Sequence, residues 1–259
     1  MTRLVLLHAA TRDRHDFRAL LDVLPELAGD ALPLDLLGHG DAPRAPRYRL
    51  TDFADAAQAA MGDDPVVLYG HSLGGLVAAA VASRRPGQVA GLVLEDPPVF
   101  GSQLPRLLET SFYRGFMALK SLMEGPGAGR TGREWEADVA NWPSGHGRST
   151  MAQVFGPRGV AMRARQIARF DPAVIGAMVS GELHEGFDIM AALRSVACPA
   201  VVLVGEEGRN SALSRADVAR LAGETPLRVE RVAGEGHFIH ETLPAPCAAA
   251  VRRVLEPVR

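Results

Sequence analysis

The sequence predicts an α/β fold built on a mostly parallel, doubly wound sheet of about six strands. Six short apolar runs, each bounded by turn residues, alternate along the chain with segments of helical periodicity. The central runs are apolar at nearly every position, which is typical of strands covered by helices on both faces. The alternation stops over residues 99–196, where the pattern is helical without strands. These observations favour one sheet with a helical insertion.

The predicted strands follow one another in the order that a doubly wound sheet requires. They are RLVLLH (3–8), ALPLDLL (31–37), VVLYG (66–70), GLVLED (91–96), PAVVLVG (199–205) and LRVERV (227–232). The segments between them include FRALLDVLPEL, DFADAAQAAM, GGLVAAAVASRR and RADVARLAG, all with helical spacing of apolar residues. Strands that alternate with helices predict crossover connections and therefore a parallel sheet.

The helical segment divides the chain into a core of residues 1–98 and 197–259 and a predicted cap of residues 99–196. Six of the eight methionines and both tryptophans fall within this cap. Two interpretations of that enrichment remain open. The apolar residues face a pocket at the carboxyl end of the sheet, or they form only the core of the cap itself.

Composition excludes several classes of function. The chain has 259 residues, 47% of them hydrophobic, and a formal net charge of −2, so we expect neither nucleic acid nor a membrane surface as a partner. Cys198 and Cys247 make neither a disulfide framework nor a metal site, which favours a reducing cytoplasm. The first apolar run is too short for a signal peptide or a membrane helix. No ligand cluster or phosphate-cradling loop implies a metal or an organic cofactor.

A Gly-x-Ser-x-Gly sequence at residues 70–74 lies between the third predicted strand and a helical run. A strand that turns sharply into a helix strains the residue at the turn, and the flanking glycines remove side chains that would collide. The hydroxyl of Ser72 then lies at the carboxyl edge of the sheet. The pattern predicts a nucleophile elbow at Ser72, with a glycine-rich turn capped by serine as the alternative.

The elbow resembles that of the α/β-hydrolase-fold serine hydrolases, and the resemblance covers nearly the whole chain. The other matching segments are LLHAATRDRHDF, DLLGHGDA, LVLEDPP and GEGHFIHE. The resemblance implies an α/β-hydrolase fold with an inserted helical cap, and an activity like that of serine esterases or lactonases. It aligns the first predicted strand with what is usually the third strand of the family.

The resemblance also implies the base that activates the serine. In this fold the base is a histidine in the loop after the last strand, and His237 in AGEGHFIHE matches that position. His240 is the competing candidate, which we interpret as a surface or helix-start histidine. His8, His39 and His71 belong to motif turns and are expected to shape loops rather than to transfer protons.

The acid of the triad departs from the usual pattern. The family usually places it three residues beyond the glycine that ends PAVVLVG, and here that residue is Gly208. Some members carry the acid after the strand that follows the elbow, which implies Asp96 in LVLEDPP. We favour Asp96 because the role needs a carboxylate that orients the imidazole, whichever strand carries it. Glu206, Glu207 and Glu95 remain alternatives, and Asp96 can also be a turn carboxylate ahead of two prolines.

Two backbone N–H groups are needed to stabilise the oxyanion of an acyl-transfer intermediate. The resemblance implies Leu73, which follows the nucleophile, and Ala10, in the loop after the first strand. Glycine is usual where this chain has Ala9, so Ala9 is expected to be strained if its φ must be positive. The adjacent Arg12 and Asp13 are expected on a solvated loop surface.

The sequence therefore predicts a hydrolase that cleaves an ester or a lactone through an acyl-enzyme on Ser72. The expected partner is a small molecule, mainly hydrophobic, and the oligomeric state stays open. Hydrolases of C–C bonds, thioesters or amides and cofactor-independent lyases share the same triad residues and remain alternatives. A non-catalytic protein that binds a small ligand is a further alternative, favoured by Gly208. Dehalogenase and epoxide hydrolase activities are disfavoured because they require aspartate in place of Ser72.

Overall fold

A computed structural model describes residues 2–145 and 148–256 of the protein. Its centre is one sheet in which every neighbouring pair of strands is parallel, in the order β2-β1-β3-β4-β5-β6. The strands are β1 (Arg3–Leu7), β2 (Leu32–Leu34), β3 (Val66–His71), β4 (Val89–Glu95), β5 (Ala200–Val204) and β6 (Arg228–Arg231). All six predicted strands are confirmed, and only the second is clearly shorter than its apolar run.

Helices cover both faces of the sheet, as the apolar strands require. The first four are α1 (Arg18–Asp22), α2 (Pro25–Ala28), α3 (Leu50–Met61) and α4 (Leu73–Arg84). Helix α4 follows the elbow, and its residues from Leu73 to Ala82 are all buried. Small side chains dominate this helix, which lets it lie close to β1, β3 and β4.

The sheet separates two hydrophobic cores. Val66 and Leu68 of β3 belong to the larger one, with α3 and α4, whereas Val67 and Tyr69 belong to the other, with α1 and the last helix. Alternate residues of one strand therefore face opposite cores, and each fully buried aliphatic side chain contributes about 1.5–3 kcal/mol. The carboxyl-terminal helices are α10 (Arg215–Glu224), α11 (Ile239–Thr242) and α12 (Pro244–Leu255).

Residues 99–196, here called the helical insertion, contain α5 to α9 and no strand of the sheet in their described part. The helices are α5 (Ser111–Glu124), α6 (Gly132–Asn141), α7 (Met151–Ala168), α8 (Ala173–Ser180) and α9 (Ile189–Arg194). Helix α7 is kinked at Gly156, which has a φ of 61° and precedes Pro157. None of the helices in the described residues is long and apolar enough to cross a membrane.

The apolar residues of the helical insertion divide between two destinations. Trp135 and Met151 form a separate small core between α6 and α7, whereas Met178 and Met190 join the larger core of the sheet. The interpretation that these residues form only the core of the cap is therefore wrong, because a share of this apolar content anchors the insertion to the sheet. The interpretation that they face a pocket stays a prediction.

Strands β1 and β3 are neighbours in the sheet although β2 lies between them in the chain. From β1 the chain adds β2 on one side, and it then adds β3 to β6 on the other side. Ligands of open parallel sheets bind outside the carboxyl ends of strands at such a switch point. The loop after β1 and the elbow after β3 both lie there, so the topology brings the two predicted site segments together.

Candidate active site

Ser72 occupies a strained turn between β3 and α4. Its φ is 53° and its ψ is −115°, a conformation that L-residues rarely adopt. A Cβ on Gly70 would lie 2.3 Å from the carbonyl oxygen of Gly74, and a Cβ on Gly74 would lie 2.0 Å from that of Leu7. Both glycines are therefore required by close backbone contacts, and the turn has the geometry predicted for a nucleophile elbow.

His237 and Asp96 form a buried pair at the carboxyl edge of the sheet. Nδ1 of His237 lies 2.7 Å from Oδ2 of Asp96. A carboxylate only accepts, so Nδ1 carries the proton and donates it to this hydrogen bond, and Nε2 is the ring nitrogen left to accept another. Asp96 is fully buried and has a φ of 42°, so the end of β4 is held in a second strained turn.

His71 connects this pair to the elbow. The Nε2 of His71 donates a hydrogen bond of 2.8 Å to the backbone carbonyl of His237, and the two rings lie 4.9 Å apart at their centroids. The residue next to Ser72 thus fixes the backbone of His237. A hydrogen bond between Ser72 Oγ and the His237 ring is not formed in the structure, and such contacts often tighten only when substrate binds.

Two backbone N–H groups without a bonded acceptor lie in the elbow and in the loop after β1 that is joined to it. In the described residues, neither the N–H of Ala10 nor that of Leu73 has a hydrogen-bond acceptor, although both residues are buried. The N–H of Gly74 donates to the carbonyl of His8 at 3.1 Å, which ties the loop after β1 to the elbow. The backbone of Ala9 does not adopt a positive φ; the strain that we anticipated there is found at Thr11, whose φ is 66°.

Asp96 is held by the loop that follows β5. Ser211 Oγ donates to Oδ1 at 2.6 Å, and the N–H of Ala212 donates to Oδ2 at 2.7 Å. The alternative acids Glu206 and Glu207 are exposed, and their side chains accept hydrogen bonds from the backbone N–H groups of Gly234 and Arg215. Of the four carboxylates considered, only Asp96 contacts His237.

Glu95 is the carboxylate of a second buried pair. Its Oε2 accepts a hydrogen bond from Nδ1 of His240 at 2.7 Å and another from the hydroxyl of Tyr69, and its Oε1 accepts from the N–H of His240 at 3.0 Å. The interpretation of His240 as a surface histidine is wrong, because this residue has no exposed area, although it does lie in the first turn of α11. Sequence spacing alone cannot separate the two histidines of GHFIH by burial.

The charges of Glu95, His240 and Asp16 compensate each other. Burial lowers the pKa of His240, but Glu95 and Asp16 outweigh it and raise the pKa well above its ordinary value. Burial likewise raises the pKa of Glu95, but His240 reverses the effect and brings it to about 2. The pKa of His71 falls to about 3, first because of burial, so His71 is neutral. The network therefore holds an ionised Glu95 against a charged His240.

Asp16, His71 and His240 are the one group of three that could converge on a metal ion within the described residues, with ligand atoms within 4.8 Å of one another. His240 Nε2 lies 3.4 Å from Asp16 Oδ2, and its Nδ1 is bonded to Glu95. A protonated His240 between two carboxylates accounts for this arrangement without a cation.

Arg12 and Asp13 are not on a solvated surface, contrary to expectation. Arg12 is 4% exposed and pairs with Glu241 at 2.7 Å, and its guanidinium lies 4.7 Å from the centre of the Phe238 ring. Asp13 is 2% exposed and accepts a hydrogen bond from Gln166 of α7 at 3.0 Å. The turn-like sequence TRDRHD gave no sign that the helical insertion covers it.

Aromatic side chains enclose His237. The ring of Phe112, from α5, and that of Phe238 each lie 5.0 Å from the imidazole at their centroids. His237 is only 4% exposed and Ser72 only 9% exposed, so both residues are buried. Sequence reasoning named neither phenylalanine, nor Ser211. Phe112 and Ser211 contact the site from other elements, and no local pattern marks such residues.

The chain belongs to the α/β hydrolase family, whose model matches residues 4–250. It is 43% identical over 100 residues to lipase LipV of Mycobacterium tuberculosis, a match that covers 38% of each chain. It is 27% identical over 224 residues to N-formylmaleamate deformylase of Pseudomonas putida, covering 81% of this chain and 72% of that one. The chain thus spans about two fifths of the length of LipV.

Solved structures agree on the fold. A thermophilic esterase from Thermogutta terrifontis superposes with a TM-score of 0.68 at 21% identity, covering 100% of this chain and 90% of the esterase. The predicted fold class and the predicted family are both confirmed.

Proposed function

We propose that the protein is a serine hydrolase that cleaves a carboxylic ester or lactone through an acyl-enzyme on Ser72. The observation that carries the proposal is the hydrogen bond of 2.7 Å between His237 and Asp96, next to a serine held at a φ of 53°. A serine hydroxyl is a weak nucleophile until a base accepts its proton. The similarity to LipV supports an ester as the substrate.

In the proposed reaction Nε2 of His237 accepts the proton of Ser72 as Oγ attacks the scissile carbonyl. The imidazolium then donates that proton to the leaving alcohol, and an acyl-enzyme remains. Water, activated by the same nitrogen, attacks the acyl group and returns the enzyme to its starting state. Asp96 holds the ring with Nδ1 protonated and stabilises the imidazolium, and Ser211 and Ala212 fix its carboxylate.

The oxyanion of each tetrahedral intermediate is assigned to the N–H groups of Ala10 and Leu73. Both are buried and lack an acceptor among the described residues, which supports this role. Such a donor typically contributes about 3 kcal/mol to lowering the barrier. We further propose that the helical insertion is the cap, since Phe112 of α5 contacts His237 and would pack against a hydrophobic part of the substrate.

An amide is the second candidate substrate. It is favoured by the similarity to N-formylmaleamate deformylase, which extends over 81% of this chain. The proposed triad would serve either bond, because His237 can protonate an amine as well as an alcohol. A non-catalytic binding protein is disfavoured, because Asp96 supplies the carboxylate that Gly208 cannot.

The proposal is tested with a fluorophosphonate probe followed by intact mass. We expect the wild-type protein to gain one probe mass, and Ser72→Ala to gain none. Ser83→Ala is a matched control, because Ser83 lies on the same helix and its hydroxyl, among the described residues, bonds only to the carbonyl of Ala80. A folded wild type that is not labelled and hydrolyses neither p-nitrophenyl esters nor anilides would favour the ligand-binding alternative.

A further inference from the structure

Arg163 of α7 extends its guanidinium to the loop that follows β1. Its Nη2 donates to Oγ1 of Thr11 at 2.7 Å, and its Nη1 donates to the backbone carbonyl of the same residue. Thr11 comes directly after Ala10, the proposed oxyanion donor. The helical insertion therefore places a cation one residue from the proposed oxyanion hole.

Arg163 differs from Arg12, its basic neighbour, in its partners. Arg12 pairs with Glu241 at 2.7 Å and lies 3.7 Å from Asp16. Within residues 2–145 and 148–256, Arg163 forms no ion pair with a carboxylate, and both of its hydrogen bonds go to uncharged oxygens of Thr11. A guanidinium has five N–H donors, so donors remain for a ligand.

The surroundings of Arg163 disfavour its charge. Burial, and then repulsion from Arg12, lower the pKa of the Arg163 guanidinium, and the acidic residues nearby offset only part of this effect. Arg163 is only partly exposed, and a charge shielded from water without a paired acid is costly. A carboxylate that reached Arg163 would supply the missing pairing, and arginine binds carboxylates through two parallel N–H bonds.

We infer that Arg163 binds a carboxylate group of the substrate, so that the preferred substrates carry a free carboxylate a few atoms from the scissile carbonyl. This inference rests on the proposed function and narrows its substrate class. The carbonyl oxygen would bind at Ala10, and the carboxylate would lie over Thr11 against Arg163.

A purely structural role makes a different prediction. If Arg163 serves only to hold Thr11 and the loop around it, its loss would affect the oxyanion donor and slow charged and neutral esters alike. If it also binds a carboxylate, its loss would slow the charged esters much more than the neutral ones. The two roles are therefore separated by substrates of equal length that differ in one charge.

The test compares mono-p-nitrophenyl succinate and glutarate with p-nitrophenyl butyrate and valerate. We expect the wild-type enzyme to prefer the charged ester of each pair. Arg163→Gln, which keeps a donor for Thr11 but loses the charge, should lower kcat/KM for the charged esters about 10- to 100-fold. The loss on the neutral esters should be at least about tenfold smaller than the loss on the charged esters. Arg165→Gln, at an exposed position of the same helix, should change neither.

Glutarate binding provides a readout that does not need turnover. Calorimetry on Ser72→Ala should detect glutarate, and the added Arg163→Gln change should abolish the signal. If Arg163→Gln lost activity equally on charged and neutral esters, or if the wild type showed no preference for the charged esters, the inference about Arg163 would be overturned. The proposed function would still stand. Failure of fluorophosphonate labelling with glutarate binding intact would overturn the proposed function while leaving the carboxylate site in place.

Discussion

Glu95 and Asp96 are consecutive residues at the end of β4, yet each binds a different imidazole. Glu95 accepts from Nδ1 of His240 and Asp96 accepts from Nδ1 of His237, both at 2.7 Å. The positive φ of Asp96, 42°, ends the strand and turns the second carboxylate away from the first. The pair of Glu95 and His240 is fully enclosed, whereas the pair of Asp96 and His237 lies against the aromatic rings at the site of Ser72.

Asp96→Asn should lower kcat for a p-nitrophenyl ester by about ten-thousandfold, as for other triads in which the aspartate becomes asparagine. The amide cannot stabilise the imidazolium and can favour the wrong tautomer of His237. Steady-state kinetics with Glu206→Gln as the control checks this, because Glu206 is exposed and bonds to Gly234 instead. A loss of kcat in Glu206→Gln, with none in Asp96→Asn, would show that Glu206 and not Asp96 is the acid.

Gly74→Ala should destabilise the fold and abolish ester hydrolysis. The new Cβ would lie 2.0 Å from the carbonyl oxygen of Leu7, and two backbone segments would have to separate. Overpacking of this kind costs about 1–3 kcal/mol or more. Thermal unfolding measures it against Gly223→Ala, since Gly223 lies in α10 with open space around it. Equal melting temperatures for the two variants would contradict the close contact.

Glu95→Gln should lower the free energy of unfolding at pH 7 by about 3–5 kcal/mol, because it leaves a charged His240 without its main partner. The folded-state pKa of Glu95, about 2, is below its ordinary value of 4.5. The contribution of Glu95 is thus complete above pH 4.5 and is lost as the pH falls through about 2. Urea unfolding across this range should show the variant and the wild type converging in acid.

The control for that experiment is Glu207→Gln, because the side chain of Glu207 is exposed and accepts a hydrogen bond from the N–H of Arg215. It should follow the wild type at every pH. A difference between Glu95→Gln and the wild type that stayed constant from pH 7 to pH 2 would mean that Glu95 titrates alike in the folded and the unfolded protein, so that its pKa is not lowered by folding.

His71→Leu should lower kcat roughly tenfold, because it removes the donor to the carbonyl of His237 and leaves a buried acceptor unpaired. His71 has a pKa of about 3, so the substitution removes no charge at neutral pH. His71→Gln, which retains an N–H donor, should restore part of the rate. Stopped-flow measurement of acylation checks both variants, and equal rates for leucine and glutamine would argue against the positioning role.

The sheet and the elbow could be predicted from the sequence because their signals are local. Unbroken apolar runs mark strands, and two glycines around Ser72 mark a turn that tolerates no Cβ. The resemblance also directed attention to Asp96 once Gly208 was seen at the usual position of the acid. The structure adds what the sequence lacked, namely the hydrogen bonds of Ser211 and Ala212 to that carboxylate.

Residues whose role depends on distant packing were missed or misplaced. His240 looks like any polar residue at a helix start, and its burial follows from Glu95 and Asp16, which are far away in the chain. Arg163 lies in a helix rich in arginine, and only the packing of α7 on the loop after β1 distinguishes it from Arg165. Spacing carries no information about such contacts.

The closeness of Gly74 to Leu7 has a mechanical consequence. Where a helix start and a strand end touch through their main chains, with no side chain between them to rearrange, the two segments shift together or not at all. The proposed pairing of Ala10 with Leu73 would then rest on this main-chain contact, and surface substitutions or modest heating should leave it unchanged until the sheet unfolds.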